Sequence, residues 1–205
     1  MTRLTRLCRA VGVGLAVAAT TLSVAGVAHA EPPPPNLDKA LTIAVRTGNK
    51  VFLVAKVSTG VQIYNCTANT NPATSGTTPF IWTFDHPEAT LVGDNGKEII
   101  QHSAGPTWQA KDGSKVVAAV EERATPDATA IPWLRLKATS TAAGSGGDRL
   151  VATTFIQRVN TKGGVAPAPT DPTNPCNAST VGKQQARVDY KADYYFWKAT
   201  GPGGT

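Results

Sequence analysis

The side chains able to carry out acid–base or metal chemistry are concentrated between residues 85 and 114. His86 and His102 are two of the three histidines in the chain, and imidazoles together with a carboxylate such as Asp85 are ligands that copper and zinc accept. Their spacing matches none of the known zinc patterns, and His86 stands directly before Pro87, which favours a turn. We therefore predict no metal or other cofactor, and keep His86 and His102 as the candidate ligands if a metal binds.

Ser114, His102 and Asp112 are the candidates for nucleophilic catalysis. A serine, a histidine and an aspartate form a triad through their arrangement in space, not through their order in the chain. Against this role, the sequence has no Gly-x-Ser-x-Gly turn, and Ser103 beside His102 would point to the opposite face of a strand. The sequence therefore favours a protein that does not catalyse a reaction. An extracellular hydrolase or metal-dependent enzyme that uses the region His102–Asp112 is the alternative.

Trp108, Arg158 and His86 are the candidates for ligand binding. Trp108 follows a Gly-Pro pair, and of the four tryptophans it is the best candidate for an exposed ring that stacks on a sugar. Packing in the core is the alternative and the commoner position of a tryptophan. Arg158 begins a segment that ends in Gly163-Gly164, and glycines beside basic groups can bind anions, but the helix that usually completes such a site is missing. The end of a strand followed by a glycine turn explains that segment equally well.

The first thirty residues have the three parts of a secretory signal peptide. Three arginines within the first nine residues precede an uncharged apolar stretch over 10–27, and Ala28-His29-Ala30 supplies the small residues that signal peptidase requires. We predict cleavage after Ala30, so that the mature chain begins at Glu31. The protein is then secreted or held in the extracellular space or cell envelope, without a stable membrane anchor.

Removal of this segment changes both the charge and the number of cysteines. The formal charge of the whole chain is +6, but three of its 20 basic residues are removed with the signal, which leaves 17 against 14 acidic residues. A charge this small does not indicate a nucleic-acid partner. Cys8 is removed as well, and Cys66 and Cys176 remain. In an oxidising compartment such a pair favours a disulfide, with two free thiols as the alternative.

The rest of the sequence predicts one all-β domain over residues 37–198, between a Pro-rich leader at 31–36 and a flexible tail at 199–205. Strand-like segments are bounded by Gly, Pro, Asn and Asp, and the pair Asn95-Gly96 is typical of a tight hairpin. From Arg187 to Phe196 apolar and charged residues alternate, as in a strand with one face on a core. We predict a β-sandwich or a barrel-like domain with long Gly/Pro-rich loops. Residues 36–48 predict one short helix, with a strand as the alternative.

Several segments, taken in order, resemble the domain-of-unknown-function 3455 family of exported proteins from bacteria and fungi. They are Gly60–Cys66, His102–Trp108, Asp112–Ser114, Ile131–Leu134, Gln157–Gly164 and Tyr190–Phe196. The resemblance extends from about Leu41 to Trp197 and implies a secreted domain, without catalytic residues that could be transferred to this chain.

These observations lead to one hypothesis about function. We expect an exported domain that acts without catalysis, either by binding or as a structural component of the cell envelope or extracellular space. The sequence does not identify the partner, and a carbohydrate or a component of the envelope is the candidate.

Overall fold

The computed structural model describes residues 31–201, and in this range the chain is all-β. Eight strands follow one another in chain order: β1 Asn49–Ala68, β2 Phe80–Val92, β3 Glu98–Ser103, β4 Thr107–Ala110, β5 Lys115–Ala124, β6 Trp133–Ala142, β7 Thr153–Gly163 and β8 Gln185–Ala199. The all-β prediction is confirmed. The predicted signal peptide over 1–30 and the last four residues of the predicted tail lie outside the described residues.

The eight strands form one antiparallel sheet that closes on itself. Each strand pairs with the next along the chain, and β8 pairs with β1 to complete the ring. The structure therefore selects the barrel-like alternative over the sandwich. Between residues 31 and 201, no helix has the length and apolar character needed to cross a membrane.

The two ends of the ring differ in their connections. One end, which we call the hairpin end, carries the connections 93–97, 111–114 and 143–152. The predicted turn at Asn95-Gly96 lies here, and Gly96 has the positive φ of 72° that such a turn requires. The opposite end, which we call the loop end, carries 69–79, 104–106, 125–132 and 164–184. The longest connections therefore gather at one end.

The inward-facing residues fill the interior most completely towards the hairpin end. On β8 the alternation seen in the sequence places Tyr190, Ala192, Tyr194 and Phe196 in the buried core. They pack against aliphatic residues from the other strands. These include Ala55, Leu91, Ile100, Val116, Leu136 and Ile156.

The segment before β1 does not form the predicted helix. Only Leu41–Ile43 make a single 3-10 turn, so the prediction of a helix over 36–48 is wrong. Side chains of the barrel bind the carbonyl groups that a helix would use. Gln157 Nε2 donates to the Ile43 carbonyl at 2.7 Å, and Arg135 Nη1 donates to the Ala44 carbonyl at 2.6 Å.

This segment also covers the outer face of β7. Ala40 and Ile43 pack on Val159, which is fully buried. As a result, the stretch of β7 from Phe155 to Val159 is buried on both faces, which explains why it contains apolar residues without strict alternation.

A disulfide joins Cys66 at the end of β1 to Cys176 in the connection before β8, with the two Cα atoms 5.4 Å apart. The prediction of this pair agrees with the structure. The same connection is also held by a hydrogen bond of 2.6 Å from the Tyr64 hydroxyl to the Gly164 carbonyl. The backbone of Cys66 also bonds to Gly182 and Gln184, so the 21 residues of 164–184 are fastened to β1 near both ends and at the disulfide.

Replacement of both cysteines by alanine should lower the free energy of unfolding by about 4–5 kcal/mol, because the bridge closes a loop of 110 residues. Urea titrations of the wild-type and double-variant domains would measure this difference. Wild-type protein titrated in reductant serves as the control and should match the double variant. A loss below about 1 kcal/mol would contradict an unstrained bridge of this loop length.

Candidate functional site

The loop end of the ring contains a cavity of about 350 Å³ between the strands. Most of its lining is apolar or aromatic: Tyr64, Phe84, Pro87, Pro106, Trp108, Val120, Ile131, Pro132, Leu134, Leu136 and Tyr194. The larger polar side chains in the lining are Gln62, Asp85, His102, Arg123 and Arg158. An apolar concavity with a few polar groups is the usual form of a small-molecule site.

Three aromatic side chains form the floor of this cavity. His102 on β3 and Trp108 on β4 are register partners, and their rings stack in parallel with centroids 4.2 Å apart. The Tyr194 ring meets both of them edge-on, at 5.4 Å from His102 and 5.7 Å from Trp108. Because Tyr194 comes from β8, these contacts connect two different parts of the ring and separate the cavity from the packed core.

Arg158 forms part of the wall. Its side chain points inward from β7, where its register partners are Leu134 and Tyr194, and the residue is only 9% exposed. Its Nε and Nη2 donate to the carbonyl of Pro132 at 3.1 and 2.9 Å. Burial raises the pKa of the Tyr194 hydroxyl, and the nearby guanidinium opposes that rise.

Two lining residues carry buried N–H groups without a hydrogen-bond partner among residues 31–201. They are Gln62, through Nε2, and Trp108, through Nε1. Buried polar atoms are also unpaired at Trp82, Gln157 and Trp197, outside the cavity lining. The two nitrogen atoms have almost no accessible surface, so they lie behind the cavity surface and not on it. A buried donor left unpaired costs about 1–3 kcal/mol.

His102 is held as a neutral imidazole. Its Nδ1 lies 2.9 Å from the carbonyl of Thr107, a contact in which the ring nitrogen donates. Burial lowers the pKa of His102 to about 3, although the bond to Thr107 acts in the opposite direction. A group with such a low pKa is a weak base near neutral pH, where general base catalysis works best with a matched pKa.

Asp112 and Ser114 lie at the hairpin end, away from His102. His102 pairs with Trp108, and Asp112 comes four positions later, past the end of β4. At about 3.3 Å per residue this separation is roughly 13 Å along the strand. His102 is therefore separated from Asp112 and Ser114, and the three residues do not form a triad.

The Asp112 carboxylate instead fastens the connection 143–152. It accepts hydrogen bonds from the Ser114 hydroxyl at 2.6 Å and from the Arg149 amide at 2.9 Å. These bonds lower the pKa of Asp112. The bond from the Ser114 hydroxyl is the main cause, and the bond from the Arg149 amide is the next. The backbone approaches so closely here that a Cβ on Gly144 would lie 2.1 Å from the Asp112 carbonyl oxygen, so only glycine fits at 144.

His86 is on β2 and does not belong to the cavity lining. Its Nδ1 lies 3.1 Å from the Asp85 carboxylate, and its Nε2 lies 3.4 Å from that of Glu88. Asp85 itself is at the mouth of the cavity. Within the part of the chain that the structure describes, no three His, Cys, Asp or Glu side chains are arranged to hold a metal ion.

Of the residues singled out in the sequence for binding, Trp108 and Arg158 line the cavity. Trp108 is only 1% exposed and therefore offers no open stacking surface. Gln62, Tyr64 and Tyr194 line the same cavity but were not among the candidates. The sequence contained evidence for Gln62. In an alternating strand it lies on the same face as Cys66, and because a half-cystine is usually buried, that face points inward.

A larger and more open depression, of about 700 Å³, lies where β1 and β8 separate. Their pairing is interrupted between Lys56 and Val61 of β1. Charged side chains of both signs line it, and among them Arg187 and Glu88 already bind each other at 2.6 Å. It lacks the enclosed aromatic lining of the cavity at the loop end.

The fold and the site define a barrel-like domain of eight antiparallel strands with an internal aromatic cavity at one end. The chain belongs to the family described as protein of unknown function (DUF3455), whose family model matches residues 46–198. The resemblance found in the sequence is thereby confirmed. Searches of the curated proteins and of the solved structures give no match.

The low pKa of His102 should make the protein less stable in acid. In the unfolded chain this histidine binds a proton below about pH 6.5. In the folded protein it binds the proton only near pH 3. Over that range His102 should reduce the free energy of unfolding by up to about 1.4 kcal/mol for each unit that the pH falls.

Urea unfolding of the wild type and of His102→Phe, which keeps a ring on Trp108, would isolate this effect. Plotted against pH, the free energies of unfolding of the two proteins should have the same slope between pH 7 and 8. Below pH 6.5 the slope of the wild type should become steeper than that of the variant. Parallel slopes down to pH 4 would mean that His102 takes up its proton in the folded state.

Proposed function

We propose that this chain is an exported binding domain that takes up a small, largely apolar molecule in the cavity at its loop end. The observation that carries this proposal is the cavity itself, which has an apolar and aromatic lining and the buried side chain of Arg158 in its wall. Closed sheets of eight strands have interiors just wide enough for side chains or one small ligand. Here side chains fill the hairpin end, and the loop end contains the cavity beside a second buried cluster around the disulfide.

The mouth of the cavity also supports binding from solution. Phe84 is 50% exposed and Val120 is 37% exposed, and both belong to the lining. Single exposed apolar side chains are ordinary on protein surfaces, but apolar side chains gathered at one opening mark a ligand-binding groove. At the mouth they offer an apolar entrance for a ligand with an apolar body.

A binding role is better supported than the hydrolase alternative. The inward histidine is neutral with a low pKa, and the acid and serine considered with it are bound to each other at the opposite end. A role as a purely structural component gives no reason for polar groups inside the ring. The buried position of Trp108 also favours a small ligand over a long carbohydrate chain.

Export is the second part of the proposal. It is supported by the features of a signal peptide in residues 1–30, by the disulfide between Cys66 and Cys176, and by the family resemblance. A structural disulfide persists in an oxidising compartment and is rare in the cytosol.

Expression of the full chain in a secreting bacterial host tests export directly. N-terminal sequencing of the protein outside the cytosol should begin at Glu31-Pro32, and Ala30→Arg should abolish this cleavage because the charged residue does not fit the peptidase. Mature-length cytosolic protein, or an exported chain that still begins at Met1, would contradict the proposal.

Binding can be tested with 1-N-phenylnaphthylamine, a neutral fused-ring probe that becomes fluorescent in apolar surroundings. The mature wild-type domain should bind it with saturation at one site. Val120→Trp should lower the affinity about tenfold or more, because the new ring fills the mouth of the cavity and keeps the apolar probe from being buried.

Val151→Trp is the matched control, since Val151 is also 37% exposed but lies at the hairpin end, outside the cavity lining. It should leave the affinity unchanged. Equal affinity in all three proteins would place the probe elsewhere and remove the support for a binding cavity.

A further inference from the structure

Arg158 carries a buried charge without an anionic partner. A guanidinium stays protonated in proteins, and Arg158 is the one lysine or arginine within residues 31–201 whose side chain belongs to the buried set. No carboxylate of the described residues lies within 4.0 Å of its nitrogens. Its hydrogen-bond partners are neutral: Nε and Nη2 donate to the Pro132 carbonyl, and the Tyr194 hydroxyl lies within hydrogen-bonding reach of the guanidinium.

Other arginines of the barrel show the usual arrangement. Arg135 is paired with Glu121 at 3.2 Å, and Arg187 is paired with Glu88 at 2.6 Å. A buried charge is costly unless it is both paired and hydrogen-bonded. The missing anion at Arg158 therefore calls for an explanation.

Support of the connection 125–132 does not explain the charge. That connection is already fastened by neutral groups: the Thr161 hydroxyl donates to the Ile131 carbonyl at 2.6 Å, and the Ile131 amide donates to Gly163 at 2.9 Å. A third bond to the neighbouring carbonyl needs no positive charge. The Tyr194 hydroxyl beside the guanidinium is also neutral, so no described partner balances the charge of Arg158.

The charges around the cavity favour an anion. Arg158 and Arg123 in the lining are positive, and Asp85 is the one acid there. Asp85 lies at the mouth with its side chain 40% exposed, 3.1 Å from the ring of His86. The remaining polar side chains of the lining, among them Gln62, Tyr64 and Tyr194, carry no negative charge.

We propose that Arg158 makes this cavity selective for small organic carboxylates, with the carboxylate at the guanidinium and an apolar body against Leu134, Leu136 and Tyr194. The planar fork of arginine matches two carboxylate oxygens, and such charge-assisted bonds are about twice as strong as neutral ones. This inference rests on the proposed function, since it names the ligand class of the same cavity.

Two ligands of the same shape distinguish the effect of the ligand's charge from that of its apolar body. They are 2-naphthoate, which is ionised at pH 7, and 2-naphthamide, which is neutral. Titration calorimetry should show that the mature wild-type domain binds the carboxylate about 10- to 100-fold more tightly than the amide. Arg158→Met, which keeps an apolar stem, should remove this preference and leave the affinity for the amide within about twofold. Arg158→Lys should keep part of the preference, because it keeps a point charge.

Arg187→Met is the control for overall charge, because it removes one positive charge from the outer face of the ring. It should keep the full preference for the carboxylate. The comparison of the two ligands in the wild type does not depend on any variant, so the inference is tested even if Arg158→Met fails to fold.

Equal affinity of the wild type for the two naphthalene ligands would overturn the selectivity and leave the binding cavity intact. The same holds if Arg158→Met and Arg187→Met reduce the preference equally. If the wild type binds neither of these ligands nor the phenylnaphthylamine probe, the proposed function itself fails, and the two failures are thereby distinguished.

Discussion

The pairing of β1 with β8 is the interaction on which the rest of the structure depends. It joins segments more than a hundred residues apart in sequence and converts a linear meander into a closed ring. Closure gives the sheet an inside and an outside, so that alternate residues of every strand enter one shared space. Without it, Tyr194 on β8 would not reach His102 and Trp108, and the cavity would have no floor.

The interior is divided by chemistry as well as by position. The packed core consists of aliphatic side chains together with Tyr190 and Phe196, whereas the cavity beyond the three aromatic rings has the guanidinium of Arg158 in its wall. A closed sheet already satisfies its backbone groups, so this charge is not needed for the pairing of the strands. The cost of burying it is offset if a ligand supplies the anion.

Local patterns in the sequence predict much of this fold. The turn at Asn95-Gly96, the alternation along β8 and the pair Cys66–Cys176 all follow from residue chemistry acting over short distances or from the predicted compartment. Closure could not be predicted in this way, because a strand of a sandwich and a strand of a ring have the same alternation. The candidate site depends on this closure. From the sequence, the segment of Arg158 is explained by the end of a strand, and the burial of its side chain inside the ring cannot be predicted.

The position of the two pairing strands near opposite ends of the domain has a consequence for timing. Until Gln185–Ala199 has emerged, β1 presents one unpaired edge along twenty residues. Contacts between such distant segments form late and slowly. The ring therefore stays open until β8 is available to pair with β1. Until then the unpaired edge of β1 is open to pairing with other chains, so the unclosed domain is prone to aggregation in a way that the closed ring is not.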